Sequence, residues 1–148
     1  MTASTERIVS VASEWPGVET APHRFGGTEF LVADKEIGHV HHAGILDLAI
    51  TRRVRDLLIE TGRSEPHHVL PDSAWVTYRV RDETDVDGAL QILRLAYLWR
   101  LLSLRRRNVD LDPRLDVDAD LTVLGLPPEI DRLTRDTFTD AFDSRASA

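Results

Sequence analysis

Apolar residues along this chain follow two rhythms, one of three to four residues and one of two, and the changes between them divide it into elements. Ile8, Val11 and Ala12 predict a helix over residues 4–14, with Ser4 or Thr5 as its cap. Trp15-Pro16-Gly17 ends that helix, because proline cannot continue it, and Trp15 is expected to pack under a sheet. Glu29 to Val32, Glu36 to His41 and Ile45 to Ile50 read as strands. Ala33-Asp34-Lys35 turns the first pair, and a tight two-residue turn at Ala43-Gly44 turns the second. Val54, Leu57, Leu58 and Thr61 share one face of a helix that Thr51 caps and Gly62 closes. After a loop over residues 63–73, Ala74 to Val80 alternates as a strand: Trp75, Thr77 and Arg79 on one face, Val76, Tyr78 and Val80 on the other. A long helix is then predicted from about Val86 to Leu104. Residues 108–120 show no period, and Pro127-Pro128-Glu129 opens a last short helix to about Phe142, with Ile130, Leu133, Phe138 and Phe142 available to dock.

This order predicts an α+β fold: a mostly antiparallel sheet of about four strands with helices packed on one face. Residues 1–107 are expected to form the α+β domain, and residues 108–148 an acidic C-terminal extension carrying the short helix. The long helix is apolar on almost every side, with Leu90, Leu93, Tyr97 and Leu101 on one stripe and Leu98, Trp99 and Leu102 off it. Such a helix needs a second cover, either the C-terminal segment or another copy of the chain in a twofold dimer.

Composition narrows the function classes. The 148 residues suffice for one core, and no apolar run is long enough to span a bilayer. The N-terminus lacks a basic region followed by an apolar one, so a cytoplasmic protein with no membrane partner is expected. With no cysteine, disulfides, thiolate metal sites and a cysteine nucleophile are excluded. A net charge of −7 argues against a nucleic-acid partner, and most of it lies in residues 108–148, which carry −6. No G-x-S-x-G elbow or glycine-rich phosphate loop is present.

The six histidines all fall between His23 and His68, and three occupy the stretch Gly38-His39-Val40-His41-His42-Ala43-Gly44. Strand alternation puts His39 and His41 on one face and His42 on the other, exposed one. With a two-residue turn, His41 pairs with Leu46 and His39 with Leu48, so both imidazoles would lie on the apolar face beneath the helices and need polar partners there. His67 or His68, from the loop after Pro66, is the expected third imidazole, and Asp47, Glu36 or Glu65 the expected acid. Such a set suits a divalent metal, a metal-free polar ligand site or a purely structural cluster. The metal-free ligand site is preferred; no residue is assigned to a metal, and the cofactor stays open.

The motifs W-P-G-V-E (Trp15 to Glu19), E-I-G-H-V-H-H (Glu36 to His42) and E-P-H-H (Glu65 to His68), followed by Trp75 to Asp82 before a long helix, resemble the luciferase-domain family. That family includes the fungal luciferase and many bacterial and archaeal proteins of unassigned activity. The resemblance runs from about Trp15 to Leu102 and leaves the acidic segment outside. It implies a small α+β domain with the HxH strand and the later histidine near one pocket. For the fungal enzyme it implies cofactor-independent oxygenation of a pyrone. The element order is also similar to frataxin-like sandwiches.

Two functions follow as expectations. The first is a small-ligand or enzyme-like domain working by oxygenase-type or general acid–base chemistry. His39, His41, His68 and Arg81 are its catalytic candidates, and Trp75, Tyr78 and His67 its substrate-binding candidates. The second is a non-catalytic module that self-associates through the long helix, with structural histidines.

Overall fold

The computed structural model describes residues 2–23 and 26–146, with side chains described as far as Thr139; Phe142 lies outside the described side chains. The chain runs α1 (Ala3–Ser13), β1 (Val18–Pro22), β2 (Thr28–Val32), β3 (Lys35–Val40), β4 (Ile45–Ala49), α2 (Arg52–Glu60), β5 (Glu65–Pro66), β6 (Trp75–Arg79), a 3-10 turn (Glu83–Asp85), α3 (Val86–Arg106), α4 (Val117–Leu124) and α5 (Pro128–Ala146). The class is α+β, as the patterning predicts. The sheet has six strands rather than about four, in the order β1-β2-β3-β4-β6-β5, and every neighbouring pair is antiparallel. The two unforeseen strands are edges. Val18–Pro22 sets Glu19 and Thr20 side by side and ends in proline, and Glu65–Pro66 is only two residues long, so neither carries an alternating signal.

Helix caps follow local chemistry. Thr2, two residues before the nearer of the expected caps, accepts from the Thr5 N–H to start α1, and Thr51 accepts from the Val54 N–H to start α2. Trp15 packs beside Tyr97 of α3, with ring centroids 5.3 Å apart, and the Arg94 guanidinium lies over both rings. Val40, Leu46, Leu48 and Val76 join Ile92, Leu93 and Leu95 of α3 in one buried cluster. The same cluster takes in Val54, Leu57 and Leu58 of α2. The helices therefore cover one face of the sheet and leave the other to the histidines.

The second cover of α3 comes from its own chain. Leu121, Leu126, Ile130 and Phe138 are buried with it, and Trp99 meets the Phe138 ring at 5.4 Å. Leu98 and Leu102, two of the residues named for self-association, are 0% and 5% exposed. The stretch expected to be irregular runs into the first half of α4, which starts where the Asp116 carboxylate accepts from the Ala119 N–H and stops at left-handed Gly125. Thus residues 108–148 carry two helices rather than one short one, and Leu121, Leu126, Ile130 and Phe138 of this segment belong to the common core.

Candidate functional site: a histidine cleft around a buried aspartate

One residue of loop length decides what faces what. The β3–β4 connection is not a two-residue turn. His41 N–H donates to the Ile45 carbonyl at 2.8 Å, Gly44 N–H donates to the His41 carbonyl at 3.0 Å, and Gly44 sits at φ +86°. This is a three-residue loop with a left-handed glycine at its end. A Cβ on Gly44 would lie 2.2 Å from the Val80 carbonyl oxygen, so the position needs glycine for space as well as for φ.

The expected pairing is thereby shifted by one. Val40 faces Leu46, His39 faces Asp47 and Gly38 faces Leu48. Val40, Leu46 and Leu48 go to the helices, and His39 and His41 turn to the opposite, uncovered face. The expectation that both imidazoles lie under the helices is corrected: a one-residue slip moves every side chain across the sheet. A bulge completes the set. Phe30 pairs with Gly38 and Leu31 with Glu36, leaving Ile37 as an extra residue that enters the core. Glu36 and His39, three apart, thus come to the same face.

Asp47 is the centre. Its carboxylate is fully buried, and Thr77, opposite it on β6, donates its hydroxyl to Oδ1 at 2.6 Å. His68 Nδ1 lies 3.2 Å from the same oxygen. His39 Nε2 meets Oδ2 at 3.0 Å, with His41 Nε2 at 3.4 Å and His67 Nε2 at 3.7 Å from that oxygen. The other ring nitrogen of His39 bonds Glu36 at 2.5 Å. His23, from the loop after β1, stacks on His39 with centroids 3.9 Å apart, and Trp75 tilts over His39 at 5.8 Å. Val69 and Leu70, 66% and 61% exposed, form an apolar rim. The cleft so enclosed measures about 420 Å³.

Electrostatics divide the imidazoles. Burial opposes charge on His39, but its bonds to Asp47 and Glu36 and their negative charges outweigh that and raise its pKa to about 9. Burial likewise opposes charge on Asp47, yet the bonds from His39 and Thr77 and the fields of His67 and His68 hold it at about 2. His41 is lowered by burial and then by the His39 cation, against the pull of Asp47. His67 is lowered by burial and, despite Asp47, by His68 and His39. At neutral pH the cleft therefore holds a His39–Asp47 ion pair beside neutral His41 and His67.

Of the residues singled out from sequence, the structure brings His39, His41, His67, His68 and Trp75 together. It does not bring Arg81 or Tyr78 to them. Tyr78 points to the helix side, its hydroxyl against Gly88 of α3, and both residues line a separate cleft. His42 is exposed, and its Nε2 accepts from the Gly27 N–H at 3.1 Å. Asp47 was one of three acids that sequence could not rank. His23 was missed, because nothing in its local pattern ties it to β3.

Two trios bring donor atoms within 4.8 Å of one another: His23, His39 and His41, and His41, Asp47 and His68. In the first, His39 already has both ring nitrogens on carboxylates. The second has the His₂-carboxylate composition that suits a divalent ion.

The Luciferase domain family model matches residues 34–96. That span holds the HxH strand, Asp47, the His67–His68 loop and Trp75, and excludes His23 and the C-terminal helices. No curated protein matches the chain, and no solved structure matches it.

Proposed function

We propose that this luciferase-like domain uses the histidine cleft for general acid–base chemistry on a small, flat, largely apolar molecule carrying a weakly acidic proton. His41 is the base. It is neutral and partly exposed to the cleft, as a proton acceptor near neutral pH must be. The His39–Asp47 pair is the fixed charge beside it, and Asp47 Oδ2, 3.4 Å from His41 Nε2, stabilises the imidazolium that forms when His41 takes the proton. Trp75, Val69 and Leu70 supply the surface against which a flat ring rests. His67 and His68 fix the remaining side of Asp47. The observation that carries this reading is the pair of neighbouring imidazoles whose environments push their proton affinities apart, the pattern by which acid and base roles are assigned. Loss of a proton to His41 would leave an electron-rich carbanion or enolate, the kind of species that oxygen attacks in oxygenase-type reactions.

The metal-free reading is preferred because both Asp47 oxygens already accept hydrogen bonds, from Thr77 and His68 on one side and His39 on the other. Stoichiometric zinc or iron in untagged protein would contradict it. The acid–base reading is tested by deuterium uptake from heavy water into a panel of hydroxypyrones and cyclic β-dicarbonyls, followed by proton NMR. The chain is expected to accelerate exchange in at least one class, and His41→Gln to lose roughly 10²-fold or more of that acceleration. Equal rates with chain and variant across the panel would contradict the role given to His41.

A further inference from the structure

A second cleft, of about 370 Å³, lies on the helix side of β6, between α2, β5 and the start of α3. It does not share the chemistry of the histidine cleft. Arg63, Arg79 and Arg81 line it, although the chain as a whole carries −7. Arg79 is held by Glu65 at 2.8 Å. Among the described residues no carboxylate lies within ion-pair distance of Arg63 or Arg81. Asp85, the other acid there, accepts from the Arg81 backbone N–H at 2.8 Å, which ties it to the rim. Two guanidiniums thus remain to meet a ligand.

A second observation points the same way. Ser64 is 9% exposed, lines this cleft, and its hydroxyl oxygen is buried without a hydrogen-bond partner. A buried polar group without a partner is costly, and a turn of this hydroxyl into the cleft onto a ligand oxygen would relieve it. The Tyr78 hydroxyl reaches the same space over Gly88, where a Cβ would lie 2.2 Å from it. Burial and then the Asp85 charge hold the Tyr78 phenol up, against Arg63, so it stays a donor. Leu58, Ile92 and Leu126 supply an apolar floor.

We infer that this cleft binds a small organic anion, with its carboxylate or phosphate on Arg63, Arg81 and the Ser64 hydroxyl and its apolar part on Leu58, Ile92 and Leu126. Arginine suits both headgroups because its planar fork pairs two oxygens at once. Strand β6 separates this anion from the histidine cleft, so the inference does not depend on the acid–base role proposed for His41.

The test is an amide NMR titration of the full chain with sodium hexanoate, hexyl phosphate and neutral hexanamide. The two anions, up to about 10 mM, should shift the Gly62, Ser64 and Gly88 amides saturably, as weak binding of small ligands does. Hexanamide should not. The relative strength of the two anions identifies the headgroup. Arg63→Gln with Arg81→Gln changes only exposed side chains, so the fold should persist, and affinity should fall at least about tenfold. His41→Gln should bind as the unaltered chain does. No saturable shift with either anion would overturn the inference. So would unchanged affinity in the double variant, equal binding of hexanamide, or shifts centred on His39 and His41.

Discussion

At the scale of single residues, Asp47 carries the site. A fully buried carboxylate is tolerable only while its partners supply hydrogen bonds and positive charge. Asp47→Asn keeps the shape but removes the charge that faces His39. We expect a loss of about 3–5 kcal/mol in urea unfolding at neutral pH, the range for breaking a buried pair by removing one partner. The pH dependence of that loss has a definite sign. Asp47, held at about 2 against an ordinary 3.8, contributes stability above pH 3.8 and loses it as pH falls through 2. His39, raised to about 9 against 6.5, contributes fully below pH 6.5 and loses it as pH rises through 9. The difference between chain and variant should therefore be largest from about pH 4 to 6.5 and shrink on both sides. His41 and His67, held below 6.5, act in the opposite sense and favour the unfolded chain as pH falls below that value. A difference that stays flat from about pH 2 to pH 9 would mean the pair is not charged.

Elements are where the sequence was partly legible and partly not. Strand and helix positions near the site follow from period and caps: β2, β3, β4, β6, α2 and α3 lie within a residue or two of their expected bounds. Which face the histidines take did not follow, because register depends on whether the loop spends two residues or three, and His42-Ala43-Gly44 admits both. The bulge at Ile37 was equally hidden, since Glu36-Ile37-Gly38-His39 reads as plain alternation. The HxH strand and the His67–His68 loop were legible as one pocket, while Asp47 became its centre only through the register. Gly44 gives the element its test. Gly44→Ala forces a Cβ against the Val80 carbonyl at positive φ and should destabilise by about 2 kcal/mol or more, with loss of the His41–Ile45 hydrogen bond. Amide exchange at His41 reads it; protection unchanged from the parent chain would show that the loop does not hold the register.

For the whole molecule, the sheet is a partition. One face packs on helices through a single apolar cluster, and the other carries the histidines and Asp47. The acidic C-terminal residues looked separable in sequence because Asp-rich stretches carry no apolar period, yet α4 and α5 bring Leu121, Leu126, Ile130 and Phe138 onto α3. A chain ending at Arg107 would uncover Trp99 and Leu102, which lie beside Phe138, and each large buried apolar side chain uncovered costs about 1.5–3 kcal/mol. We expect that truncation to lose cooperative thermal unfolding and to aggregate. A truncated chain with sharp, monomeric unfolding would show that residues 1–107 stand alone. No helix among the described residues is long and apolar enough to cross a membrane.

The partition matters for function because the histidine cluster lies where the helices do not reach, and there His39 and Asp47 form an ion pair beside a neutral His41. Long-range nitrogen–proton NMR of the histidine rings against pH measures this directly, with His39→Gln and His41→Gln assigning the signals. His39 should titrate near 9 and His41 below 6.5. A His39 ring that loses its proton at or below 6.5 in the intact chain would contradict it.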